Sequence, residues 1–168
     1  MKATAQKNPT LITAEPNSLE VIVTREFEAS PEKVFRAYTD PKILVQWWGP
    51  RSTKMRFEKF EPRDGGSYRY FHEVASGHEV SFRGVFHEVT APERIIQTFE
   101  FEGLPERGHV CLETIRFESL PGNRTRVSYQ DIFQAVADKE GAMAAGMTTG
   151  IIEMHERLDE LFESGAIK

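Results

Sequence analysis

The chain has 168 residues, of which 39% are hydrophobic and 28% charged, and its formal net charge is -5. This length is typical of one domain that buries a sizeable core without disulfide bonds, and the single Cys111 excludes a disulfide within the chain. The acidic balance argues against a nucleic-acid-binding protein, and no apolar run is long enough to predict a membrane span. We therefore expect one soluble domain, and the lone cysteine favours the reducing cytoplasm.

The N-terminal segment differs from the rest of the chain in composition. Residues 1–18 are polar, contain Pro9 and Pro16, and lack the apolar stretch of a signal peptide. They are predicted to form a flexible N-terminal arm. The remainder, residues 19–168, contains no repeat or linker and is predicted to be a single domain.

The first part of this domain predicts one strand and two short helices. Residues 19–27 alternate and are rich in β-branched side chains, as in a strand. Ser30 followed by Pro31 is a helix start, since serine caps the helix and proline suits its first position. Asp40-Pro41 repeats this signal, and Gly49-Pro50 ends the second helix. The adjacent Trp47 and Trp48 cannot face the same way, so we expect one in the core and one at its rim.

The rest of the chain predicts a meander followed by a helix. Short alternating runs between turn residues predict about six antiparallel strands from residue 53 to about 132. Asp138 is a plausible N-cap of one long helix, in which Met143, Met147 and Ile151 begin an apolar face. The order predicts an α+β fold in which a curved antiparallel sheet of about seven strands packs on a long C-terminal helix.

The strand faces identify a candidate pocket. A hairpin with a Ser76-Gly77-His78 loop would turn Tyr68, Tyr70 and His72 inward, together with Phe82, Gly84 and Phe86. Alternation likewise predicts that Ile95, Gln97, Phe99, Phe101, Val127 and Tyr129 point inward. Apolar walls with a few polar groups are typical of small-molecule sites, although such aromatic side chains also fill ordinary cores. The predicted ligand-binding residues are Trp48, Tyr68, Tyr70, His72, Phe82, Phe99, Tyr129, Met143 and Met147.

Motifs of catalysis and metal binding are weak in this sequence. Four histidines precede a glutamate, but none has a second histidine four positions on, so we expect no metal. There is no Gly-x-Ser-x-Gly motif, no recognisable Cys-His pair and no phosphate-binding loop, so we assign no catalytic residue and expect no cofactor. Glu113 would be a candidate acid or base only if it points inward.

An ordered set of residues from position 25 to position 127 resembles a known family. Its members are Arg25-x-Phe27-x-Ala29-x-Pro31-Glu32-x-Val34-Phe35-x-Ala37, Thr39-Asp40-Pro41, Trp47-Trp48-Gly49-Pro50, Pro62-x-x-Gly65-Gly66-x-Tyr68, Gly84-x-Phe86-x-Glu88-Val89, Pro92-Glu93-Arg94-Ile95 and Thr125-Arg126-Val127. The set is similar to START-like proteins of the SRPBCC superfamily, and more narrowly to the C-terminal domain of the activator of the ninety-kilodalton heat-shock chaperone's ATPase. This resemblance implies the helix-grip, birch-pollen-allergen-like fold over a deep, mostly hydrophobic cavity.

The resemblance implies fold more firmly than activity. Our leading hypothesis is that a small hydrophobic or aromatic ligand binds between the sheet and the C-terminal helix. One alternative is a cyclase- or hydrolase-like enzyme that uses His72 or a tyrosine for proton transfer in the same cavity. Another is a chaperone-linked stress-response module that binds its partner through an acidic face and the tryptophan pair. The expected partner is thus a small hydrophobic molecule, with a chaperone or a second copy as alternatives, and neither nucleic acid nor membrane.

Overall fold

The computed structural model describes residues 7–168, and within them it has eight strands and four helices. None of these helices combines the length and the apolar character that crossing a bilayer requires. The strands are β1 (Leu11–Thr13), β2 (Glu20–Phe27), β3 (Lys54–Phe60), β4 (Ser67–Glu73), β5 (Glu79–Thr90), β6 (Arg94–Phe101), β7 (Val110–Leu120) and β8 (Arg124–Ile132). The helices are α1 (Pro31–Thr39), α2 (Pro41–Leu44), α3 (Val136–Ala144) and α4 (Met147–Glu163).

All eight strands form one antiparallel sheet in the order β1-β2-β8-β7-β6-β5-β4-β3. The predicted α+β helix-grip fold is confirmed. The additional strand is β1, which falls in the predicted arm and pairs with β2, with Ile12 opposite Val23. A strand of three residues is too short to show alternation of its side chains, and the backbone hydrogen bonds between β1 and β2 cannot be predicted from the side-chain pattern. Residues 1–6 of the predicted arm lie outside the described residues.

The two short helices after β2 begin as predicted, but α2 ends at Leu44, and residues 45–49 form turns and bends instead of a helix that continues to Gly49-Pro50. The side chain of Ser30 accepts a hydrogen bond from the Lys33 amide, and Pro31 occupies the first position of α1. Asp40 then has two roles, because its amide donates to the Arg36 carbonyl at the end of α1 and its side chain accepts from the Lys42 amide of α2. These caps turn the chain sharply, so that the following tryptophans meet the sheet.

The predicted single C-terminal helix is wrong in one respect, because the structure divides it into α3 and α4. Gly146 stands at the break with a φ of 95°, a left-handed conformation that glycine adopts without steric cost. The predicted N-cap Asp138 lies inside α3, and its Oδ1 is 2.9 Å from His109 Nδ1. The N-cap is Ala135, whose side chain makes no capping hydrogen bond.

The predicted strand faces are confirmed in the hairpin of β4 and β5. Tyr68 lies opposite Gly84, and Tyr70 lies opposite Phe82. The turn itself comes one residue earlier than predicted, since the Val74 amide donates to the His78 carbonyl at 2.9 Å. This change moves the register by two residues, and a shift by an even number leaves every side chain on the same face.

Candidate functional site

A narrow cavity lies between the concave face of the sheet and the segment of α1, α2 and Trp48. About 400 Å³ of this region, which is partly open to solvent, is free of protein atoms, and about 30 Å³ of it can hold the centre of a water molecule. Roughly two waters therefore fit, and a larger molecule requires side chains to move. The lining residues are Tyr38, Leu44, Trp48, Met55, Phe57, Phe60, Tyr68, Tyr70, Phe86, Ile95, Gln97 and Ile115.

The cavity overlaps only partly with the residues predicted to bind a ligand. Trp48, Tyr68 and Tyr70 line it. The other six, which are His72, Phe82, Phe99, Tyr129, Met143 and Met147, do not. Within residues 7–168 no lining residue belongs to α3 or α4, so this cavity is not under the C-terminal helix, where the pocket was expected.

The space under α4 is occupied by the protein's own side chains. Met154, His155 and Leu158 of α4 are buried against the sheet. The His155 ring meets Phe27 of β2 edge to face, with 5.7 Å between the ring centroids. Dense packing of this kind leaves little open volume between these side chains of α4 and the sheet.

Four predicted residues form a continuous aromatic wall across β4, β5 and β6. Ring centroids are separated by 6.0 Å between Tyr68 and Tyr70, by 5.2 Å between Tyr70 and Phe82, and by 5.3 Å between Phe82 and Phe99. The Tyr68 hydroxyl donates to the Thr98 carbonyl at 2.6 Å. Gly84 makes room for this ring, because a Cβ there would lie 2.6 Å from the Tyr68 oxygen. The wall is thus rigid, and its Tyr68 hydroxyl is already bonded.

His72 packs beside this wall instead of facing the cavity. Its ring makes edge-to-face contacts with Tyr70 and Phe82, and its Nδ1 lies 3.0 Å from Thr53 Oγ1. Burial, and then the charge of Arg157, lower the pKa of His72 to about 4. The imidazole is neutral near pH 7 and is not placed for proton transfer to a molecule in the cavity.

The two tryptophans behave as expected for adjacent indoles. Trp47 has no exposed surface, and its Nε1 donates to the Ala37 carbonyl at 3.1 Å. Trp48 is half-buried, and its Nε1 donates to the Tyr70 hydroxyl at 3.0 Å. One indole therefore anchors the core, while the other forms part of the cavity wall.

A buried polar chain runs from α4 to the cavity, and sequence reasoning missed it. The Tyr38 hydroxyl is hydrogen-bonded to the Tyr129 hydroxyl, which lies 3.3 Å from His155 Nε2. His155 Nδ1 lies 3.0 Å from Thr10 Oγ1, and this oxygen accepts from Arg25 at 3.2 Å. Arg25 in turn pairs with Asp159 of α4. One signal was available, since Arg25 interrupts the inward apolar residues of β2 with a charge.

A pair of carboxyl groups is buried on the neighbouring strands. Glu113 of β7 and Asp131 of β8 are opposite one another, share a hydrogen bond and are almost inaccessible. Gln97, which lines the cavity, donates to Glu113 Oε1 at 2.6 Å. Burial raises the pKa of both carboxyls, and the Glu113 charge raises that of Asp131 further. The side chain of Glu113 thus points inward, and Gln97 lies between it and the cavity.

This pair gives a pH-dependent prediction for Asp131→Asn. A carboxyl whose pKa is raised by folding binds its proton more tightly in the folded state, so its contribution to stability is lost as pH rises. We expect the unfolding free energy of the variant minus that of the wild type to increase as pH rises above about 4, the pKa of aspartate in the unfolded chain. The gain is about 1.4 kcal/mol for each pH unit over which one carboxyl ionises only in the unfolded state.

Urea denaturation across this pH range measures that difference. The control is Glu140→Gln, which removes an exposed carboxylate from α3 and should change the unfolding free energy by less than about 0.5 kcal/mol. A difference between Asp131→Asn and the wild type that does not vary with pH would contradict the prediction.

Metal binding has no support in the described part of the chain. Among residues 7–168, no three histidine, cysteine, aspartate or glutamate side chains are grouped so that they could hold a metal ion. Cys111 is buried as a free thiol, and burial followed by the nearby Asp131 charge raises its pKa. What the site offers is an apolar cavity with a few hydroxyl and amide groups.

Comparison with known proteins agrees with this architecture. A solution structure of a protein from Arthrobacter aurescens is 25% identical, with a TM-score of 0.83 over 92% of this chain and 91% of that chain. A crystal structure of a Rhodobacter sphaeroides protein is 22% identical, with a TM-score of 0.83 over 93% of this chain and 99% of the other. The AHSA1 protein from Silicibacter pomeroyi shares the fold at 19% identity, with a TM-score of 0.72 over 87% of this chain and 99% of its own.

No curated protein matches the chain. The family model described as "Activator of Hsp90 ATPase homolog 1-like protein" matches residues 28–163. This range includes the four helices and the strands β3 to β8, and it begins after β1 and β2. The chain therefore belongs to the family of Activator of Hsp90 ATPase homolog 1-like proteins, as an SRPBCC domain of the AHSA type.

Proposed function

We propose that this protein binds a small hydrophobic or aromatic molecule in the cavity between the sheet and the α1–α2 segment. The observation that carries the proposal is the cavity wall itself, which is almost entirely aromatic and aliphatic and contains few polar groups. Sites for small organic molecules have this composition, because apolar walls supply affinity and a few polar atoms supply orientation.

Binding requires the cavity to widen, and its rim is suited to that. Trp48 and Met55 are half-buried and lie on the wall. Methionine side chains adapt to irregular shapes, since they are unbranched and rotate about three bonds. Displacement of Met55 widens the cavity while Trp48 keeps its hydrogen bond to the Tyr70 hydroxyl.

The geometry supports the enzyme and the chaperone-linked module less well than ligand binding. A cyclase- or hydrolase-like reaction through His72 is not favoured, since that ring does not face the cavity. A chaperone contact through the tryptophan pair would need exposed indoles, whereas Trp47 is fully buried and Trp48 is bonded to Tyr70. A cytoplasmic location and a role in the stress response remain predictions.

The proposal is tested by the thermal stability of the protein with α-methylstyrene, a neutral aromatic hydrocarbon. A ligand of the folded state at one hundred times its Kd stabilises that state by about 2.7 kcal/mol, so we expect a clear rise in Tm. Met55→Trp fills the rim and should weaken binding by about tenfold or more, an effect of about 1.4 kcal/mol.

The matched control is Val85→Phe, which adds an aromatic ring at an exposed position on the opposite face of the sheet. This variant should keep the affinity of the wild type. An absent Tm rise in the wild type, or equal rises in the wild type and Met55→Trp, would contradict binding in this cavity.

A further inference from the structure

The Tyr70 hydroxyl on the cavity wall already accepts a hydrogen bond from the protein. Tyr70 accepts from Trp48 Nε1, and an indole nitrogen can only donate. The hydrogen of the Tyr70 hydroxyl is therefore left to donate, and residues 7–168 offer it no acceptor within hydrogen-bond distance. Tyr70 lines the cavity, so this hydrogen is available to a molecule inside it.

The direction of the buried polar chain assigns the same role to Tyr38. Arg25 donates to one lone pair of Thr10 Oγ1, and we assign the Thr10 hydrogen to His155 Nδ1, because this arrangement keeps a hydrogen on Nδ1 away from the cation. Burial, and then the charge of Arg25, lower the pKa of His155 to about 3, so the ring is neutral. Its single hydrogen is then on Nε2, from which it donates to Tyr129.

The chain continues from Tyr129 to the cavity. Because the Tyr129 oxygen accepts from His155, its own hydrogen donates to the Tyr38 oxygen. The hydrogen of Tyr38 remains, and Tyr38 lines the cavity. In the reverse direction Thr10 Oγ1 would accept from both Arg25 and His155, which places the Nδ1 hydrogen near the Arg25 cation and is electrostatically less favourable. Hydrogen bonds in series polarise one another, so the last hydroxyl is a strengthened donor.

The surroundings of these donors select against a charged ligand. Burial and the nearby Glu113 charge raise the pKa of Tyr38, although its bond with Tyr129 acts the other way. Burial and the same Glu113 charge raise the pKa of Tyr70, against the opposing effect of Trp48. Both hydroxyls stay protonated, and a charged ligand would lose its hydration among lining residues that include no lysine or arginine.

We propose that the ligand of this cavity is a neutral, apolar carbonyl compound whose oxygen accepts hydrogen bonds from the hydroxyls of Tyr38 and Tyr70. The inference rests on the proposed function, since it concerns the same cavity. The inference adds the chemical class of the ligand to that function. The class is an aromatic or aliphatic ketone or ester, and neither a hydrocarbon nor a carboxylate.

The test compares three probes of nearly equal shape by isothermal titration calorimetry. Acetophenone has the carbonyl oxygen, α-methylstyrene replaces it with a methylene group, and benzoate carries a negative charge. We expect the wild type to bind acetophenone more tightly than α-methylstyrene, by about three- to tenfold for each of the two hydrogen bonds. Benzoate should bind most weakly.

Two variants locate the effect. In Tyr38→Phe and in Tyr70→Phe, acetophenone affinity should fall toward that of α-methylstyrene, while α-methylstyrene affinity should change by less than about twofold. The carbonyl stretching band of bound acetophenone should lie at lower frequency in the wild type than in the double variant. Circular dichroism in the near ultraviolet confirms that each variant is folded.

The outcomes separate the two proposals. Equal affinities for acetophenone and α-methylstyrene in the wild type would overturn the carbonyl inference and leave the proposed function standing. Tighter binding of benzoate than of acetophenone would also overturn it. If neither neutral probe binds, the proposed function itself fails.

Discussion

Replacing Asp159 with asparagine is expected to lower the free energy of unfolding by about 3 to 5 kcal/mol. Asp159 is the ion-pair partner of Arg25, whose side chain has no exposed surface. The variant keeps the size of the side chain but removes its charge, so the buried guanidinium loses its ion-pair partner and keeps only the nearby charge of Glu156. A buried charge that loses a partner is costly because water cannot solvate it.

The double variant Arg25→Met, Asp159→Asn distinguishes this cause from a local distortion of α4. It removes both charges and replaces a buried cation with an apolar side chain, so we expect it to recover most of the stability lost in Asp159→Asn. Urea denaturation of the wild type, the single variants and the double variant gives the coupling energy. The explanation fails if Asp159→Asn costs less than about 1 kcal/mol or if the double variant is no more stable than Asp159→Asn.

Trp47→Ala is expected to cost about 3 to 5 kcal/mol, and Trp48→Ala clearly less. Trp47 is fully buried, packs on Tyr38 with 4.8 Å between ring centroids and donates to the Ala37 carbonyl. Its removal leaves a large void and an unpaired carbonyl. Trp48 is half-buried at the cavity rim, so its replacement exposes less of the core.

The same pair of variants links stability to binding. Trp48→Ala should remain folded and lose affinity for α-methylstyrene by about tenfold, because an indole of the wall is gone. Thermal denaturation measures the first effect, and calorimetric titration the second. Equal destabilisation by the two replacements would show that the indoles do not divide the roles of core anchor and cavity wall.

The buried polar chain contains groups that an apolar core normally excludes. A buried arginine and a buried histidine are unfavourable in an apolar core unless their hydrogen bonds are met. Here Thr10, Tyr129 and Asp159 meet most of them, although Arg25 Nε stays unpartnered. The chain ends at Tyr38, where the protein provides a donor and the cavity provides the space for an acceptor.

Features that depend on neighbouring residues were predicted correctly from the sequence. The caps at Ser30 and Asp40 concern contacts within one helical turn, and the inward faces of Tyr70 and Gln97 follow from strict alternation in strands. Two local signals were exceptions, namely the predicted N-cap Asp138, which lies inside α3, and Gly146. An isolated glycine is tolerated within a helix, and only its observed backbone conformation shows that it separates α3 from α4.

By itself, the sequence determined the α+β class, the strand faces, the caps and the aromatic side chains that could form a pocket. The tertiary structure alone decided where the open volume lies. Met154 and Leu158 fill the space under α4, so the cavity lies beneath Trp48 and the α1–α2 segment. It also decided the polar chain, which joins Thr10, Arg25 and His155 from segments far apart in sequence. Local pattern shows which face a side chain occupies, whereas the packing of distant elements decides what that face meets.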